Sequence, residues 1–146
     1  MNMLEGRGDT VKVNSKRKLI TSVVVGVLTV FVMMLLLLSV MTALILNGKL
    51  NSGNEAVIMV GVHFLTMLVG CVVSGLIADK AIYACAGTLI IALLVNLTIT
   101  IFTFSGAFQN MVSSLLADAG GCLIAIWLAT MIKNKSKAGL KKYRSR

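Results

Sequence analysis

Leu19 to Leu46 reads LITSVVVGVLTVFVMMLLLLSVMTALIL, 28 residues without one charged side chain. An α-helix rises 1.5 Å per residue, so crossing a hydrocarbon core of about 30 Å takes ~20 apolar positions. The stretch exceeds that length. Three further stretches meet it: Ala56 to Ala78, Ala81 to Phe104 and Met111 to Ile132. The spacing therefore predicts an all-α protein, an integral membrane four-helix bundle with short loops. Polar punctuation marks the turns at Asn47–Asn54, at Asp79 and Lys80, and at Ser105–Asn110. Connections this short make successive helices antiparallel neighbours.

Composition agrees. Of 146 residues, 58% are hydrophobic and 13% charged, with a formal net charge of +9 and a mean hydropathy of +0.95. A soluble domain of this size carries roughly a quarter charged residues to hydrate its surface. Soluble enzymes, nucleic-acid-binding domains and disulfide-stapled secreted modules are disfavoured together.

The 14 basic residues orient the bundle. Arg7, Lys12, Lys16, Arg17 and Lys18 precede the first span. Lys133, Lys135, Lys137, Lys141, Lys142, Arg144 and Arg146 follow the fourth. With four spans, both ends and Lys80 share one side, leaving Lys49 alone opposite. The positive-inside rule makes the crowded side cytoplasmic, N-in and C-in. Tyr83 and Trp127 fall near the same interface, where amphipathic rings are favoured. The chain divides into a basic cytoplasmic tail, 1–18, a transmembrane domain, 19–132, and a second basic tail, 133–146. Both tails are too polar to bury, and the ends of both are expected to be disordered or to lie on the membrane surface. The first apolar run is much longer than a signal-peptide core, so the first helix is expected to remain as an anchor. The tails' positive charge reads first as a topology signal and second as an attraction for anionic lipid. Without aromatic interleaving or a folded module it does not read as nucleic-acid binding.

Within the spans, Asp118 is the only formal charge and His63 the only histidine. A carboxylate at membrane depth costs roughly 2.5–3.5 kcal/mol on insertion scales and needs a partner or water. Counted inward from the outer ends, His63, Asn96 and Asp118 lie seven to nine residues deep, and Ser39 lies at a comparable depth in the first span. One polar layer, about 10–13 Å below the surface, is expected to collect a residue from each helix. It reads either as a structural clasp or as a proton relay, with His63 and Asp118 titrating and Asn96 orienting them.

Small residues recur four apart: Ser113, Ala117, Gly121, Ala125 and Ala129 in the fourth span, with Gly120 beside them. Ala84, Thr88, Ala92, Asn96 and Thr100 make a row in the third, and Gly70, Ser74 and Ala78 in the second. Such rows let helix backbones approach closely, inside the bundle or between copies. Cys71, Cys85 and Cys122 have no zinc-site spacing and read as small packing residues. The chain has no proline, whereas many alternating-access transporters bind substrate at helices broken by glycine and proline. No nucleophile elbow, phosphate loop, paired catalytic carboxylates or metal-ligand cluster is present. No catalytic residue, metal or cofactor is expected.

The span layout, the run from Gly70 to Lys80 into Ala81 and Ile82, and Gly120-Gly121 resemble an uncharacterised family of small four-helix bacterial membrane proteins. The resemblance covers about residues 19–132. It implies a multi-pass protein of the bacterial cytoplasmic membrane and supplies no activity. Three functions remain open: a non-enzymatic structural or accessory component that packs with itself or a larger membrane complex, a small proton-linked transporter or channel, and a holin-like pore former.

Overall fold

A computed structural model describes the backbone over residues 5–49, 55–103 and 108–144, and side chains over 15–49, 57–98 and 112–136. The described residues form four helices and no strand: α1 (Glu5–Leu46), α2 (Glu55–Ile77), α3 (Ala81–Thr103) and α4 (Phe108–Arg144). All four are long and apolar enough to cross a membrane, over Ser15–Leu46, Val57–Ile77, Ala81–Thr98 and Val112–Ser136. The spans read from the sequence agree with the helices within a few residues at the turns. Most of the outer turns, residues 50–54 and 104–107, lies outside the described residues.

The end of α1 is fixed by its own backbone. Gly48 adopts a φ of +66°, and Gly48 N–H donates to the Ile45 carbonyl while Lys49 N–H donates to that of Leu44. This pair of bonds satisfies the last carbonyls of the helix, and the left-handed residue between them favours glycine.

The basic segments are helical over most of their length. α1 already begins at Glu5 and α4 continues to Arg144, so 5–18 and 133–144 are helical extensions of the spans. Starting a helix is costly, whereas extending one adds a hydrogen bond per residue. Lysine and arginine in both segments, with Ala138 and Leu140 in the second, are good helix formers, whereas Gly6, Gly8 and Gly139 are poor ones, so the extensions depend on the helix nucleated by the span.

α2 and α3 form the centre, each packing against every other helix, while α1 and α4 flank them. Glycine sets the closest approaches. A Cβ at Gly26 of α1 would lie 2.6 Å from Ser74 Cβ and 2.7 Å from Thr88 Oγ1, and one at Gly70 would lie 2.9 Å from the Gly26 carbonyl. On the other side, a Cβ at Gly121 would lie 2.7 Å from the Phe64 carbonyl and 3.2 Å from Leu68 N. The small-residue rows face inward: Gly70, Ser74 and Ala78, then Ala84, Thr88 and Ala92, then Ala117, Gly121, Ala125 and Ala129 are all buried. Gly120 contributes differently, since a Cβ there would make only ordinary contact, 3.8 Å from the Phe64 ring.

α1 joins this core only by its inner half. Ser22, Gly26 and Val30 are buried, and no residue from Phe31 to Leu46 is. Small residues permit the crossing; the bulky run FVMMLLLL that follows cannot approach as closely. Hydroxyls on the outer surface are satisfied within their own helices: Thr21, Ser39, Thr42 and Thr98 donate to the carbonyls of Arg17, Leu35, Leu38 and Leu94. This arrangement suits a surface without water, where an unpaired donor is costly.

Candidate functional site

His63 and Asp118 meet between α2 and α4. The imidazole Nδ1 lies 3.3 Å from Asp118 Oδ1, and the two side chains are 12% and 3% exposed. Their surroundings follow from the local sequence. Val62, Thr66 and Met67 make the flanking face of α2 inward, and all three are buried. Thr66 completes its own hydrogen bonding by donating to the His63 carbonyl, 3.0 Å away. Asp118 lies on α4 three residues from Gly121, where the α2 and α4 backbones approach closely. That approach brings the short aspartate side chain within reach of the imidazole.

Three arrangements are compatible with this contact: an imidazolium–carboxylate ion pair, a neutral imidazole whose Nδ1–H donates to the carboxylate, or a neutral carboxyl whose O–H donates to Nδ1. Each gives the buried acidic group a partner. The pair can therefore tie α2 to α4.

The four-helix layer expected at this depth is not formed. Ser39 is exposed on the outer half of α1, and its hydroxyl donates to the Leu35 carbonyl at 2.8 Å. Its depth along the helix matches, but its face points out of the bundle because α1 leaves the core after Val30. Asn96 is half-buried and continues the inward row of Ala92 and Thr88 on α3. The described contact of the site is thus the one between His63 and Asp118.

Two buried polar clusters lie closer to the basic end. Thr88 Oγ1 donates to Ser74 Oγ at 3.0 Å, beside Gly26. The three cysteines converge from α2, α3 and α4: Cys85 Sγ donates to the Cys71 carbonyl at 3.1 Å, and Cys71 and Cys122 both reach the Cys85 carbonyl at 3.7 Å. All three thiols are free and buried. Among the described residues, no group of three or more His, Cys, Asp or Glu is arranged to hold a metal ion. The sequence signal for the convergence was available, since Cys71, Cys85 and Cys122 each adjoin an inward-facing small residue: Gly70, Ala84 and Gly121. Every buried side-chain nitrogen and oxygen among the described residues has a hydrogen-bond partner.

At the outer end, an open apolar groove of about 350 Å³ lies between α1 and α2, lined by Leu38, Met41, Ile45, Ile58 and Met59 among others. Neither His63 nor Asp118 lines it. No family model matches the chain, and neither does any curated protein or solved structure.

Proposed function

We propose that the protein is a non-enzymatic, multi-pass component of the bacterial cytoplasmic membrane, a helical scaffold with both termini cytoplasmic that assembles with a second copy or a larger membrane complex. The observation that carries this reading is the His63–Asp118 contact, which gives the one carboxylate at membrane depth a partner on the neighbouring helix. The pair acts as a clasp, and the tightly packed small residues around it favour a fixed bundle over a moving one. Polarity and basic-residue placement support the orientation.

A proton-handling role is the second reading, favoured by the same contact because both members are titratable. One preparation separates the two. Purified in mild detergent, the protein is expected to migrate on native electrophoresis as a defined species larger than its 15.5 kDa chain. Reconstituted into vesicles, it is expected to leave an imposed pH gradient intact. A gradient that collapses with the wild type and is preserved by Asp118→Asn would establish the proton-linked reading instead. A strictly monomeric protein would contradict assembly.

A further inference from the structure

Lysines from α1, α4 and the turn between α2 and α3 meet at residues 78–80. The Lys18 ammonium of α1 lies 3.7 Å from the Asp79 carboxylate. The Lys133 ammonium of α4 donates to the Ala78 carbonyl at the end of α2. The Lys80 ammonium sits 5.4 Å from the centre of the Tyr83 ring on the first turn of α3. Lys16, Arg17 and Lys135 are exposed nearby along α1 and α4. Asp79 is the one acidic residue of the turn, so the cluster is strongly positive.

We infer that this turn binds the headgroup of an anionic phospholipid, with Lys18, Lys80 and Lys133 directed at the phosphate. An ammonium has three N–H donors, and each of these contacts occupies at most one of them. The protein contacts therefore position the cations and leave donors free for charge-assisted bonds to phosphate oxygens. The level is also right. α2 ends at Ile77 and α3 begins at Ala81, so the ammoniums stand where a spanning helix pair meets the headgroups. Tyr83, 61% exposed, and Trp127, 58% exposed, present amphipathic rings toward the adjoining lipid. The first turn of α3 carries no acidic residue to repel an anion. Clustered juxtamembrane lysines are drawn to anionic leaflets; here the fold gathers them from separate elements around one turn. The inference rests on the membrane reading proposed above.

Native mass spectrometry of the full-length protein, released from detergent with equal phosphatidylglycerol and phosphatidylcholine, tests it. The protein is expected to retain phosphatidylglycerol preferentially. Lys18→Gln/Lys80→Gln, which keeps the Lys133 contact to Ala78, is expected to lose roughly fivefold of that preference per lysine removed. Lys137→Gln/Lys141→Gln, which removes the same charge further along α4, is expected to change it by less than about twofold. Millimolar inorganic phosphate is expected not to displace the lipid. Absence of a preference, equal loss in both double variants, or displacement by free phosphate would overturn the site. Carbonate extraction of the same proteins keeps the two readings apart: release from the membrane overturns the membrane reading, and retention without lipid preference overturns only this site.

Discussion

Gly121→Val is expected to be among the most damaging single substitutions in the bundle. Even its first added carbon would lie 2.7 Å from the Phe64 carbonyl and 3.2 Å from Leu68 N, both backbone atoms of α2. A flexible side chain could turn aside, but a helix backbone moves only as a unit, so α2 and α4 must separate. Overpacking of this kind costs typically 1–3 kcal/mol, and valine adds two methyl groups beyond the clash already present for alanine. Separation also stretches the His63–Asp118 contact one turn away. Gly120→Ala provides the contrast. Its new carbon meets only the Phe64 ring at 3.8 Å, and helix propensity favours alanine over glycine by up to about 1 kcal/mol. Unfolding by sodium dodecyl sulfate in mixed micelles, followed by circular dichroism, is expected to show a lowered midpoint for Gly121→Val and an unchanged or raised one for Gly120→Ala. Equal losses at the two positions would contradict the α2–α4 crossing.

Gly26→Leu is expected to detach α1. A Cβ at Gly26 meets Ser74 Cβ at 2.6 Å and Thr88 Oγ1 at 2.7 Å, and the rest of leucine has nowhere to go between α1, α2 and α3. The Gly70 backbone lies directly across, so that α2 cannot yield without disturbing its contacts with α4. α1 is the helix free to move, because nothing beyond Val30 is buried. Hydrogen exchange in micelles should therefore rise over residues 15–30 of α1 while the inner halves of α2 and α4 keep their protection. Full protection of α1 in this variant would show that the Gly26–Gly70 crossing does not hold it.

Features that a physical rule fixes along the helix axis are legible in the sequence, whereas those that depend on the direction a helix face presents are not. Span length follows from bilayer thickness, so four apolar stretches were legible. The rows at Ala84, Thr88 and Ala92 and at Ala117, Gly121 and Ala125 were legible because residues four apart share a helix face. His63 and Asp118 were a reasonable pair because a lone carboxylate in an apolar span needs a partner. Ser39 shows the limit: the rise per residue gives depth, whereas the face a residue presents depends on packing that α1 alone does not encode. Only Ser22 and Gly26, four residues apart, mark an inward side on α1. That small-residue pair is shorter than the rows on the other helices, and it forms the α1 contact.

A double-mutant cycle measures whether the His63–Asp118 contact ties α2 to α4. Unfolding free energies of the wild type, His63→Ala, Asp118→Ala and the double variant, taken in mixed micelles, isolate the interaction between the two side chains. Hydrogen-bonded pairs between membrane helices contribute about 0.6 kcal/mol on average and up to about 1.7 kcal/mol. At 3.3 Å the contact is longer than a typical N–H···O bond, so a coupling near that average is expected. Strictly additive effects, with no coupling between the two positions, would contradict the clasp.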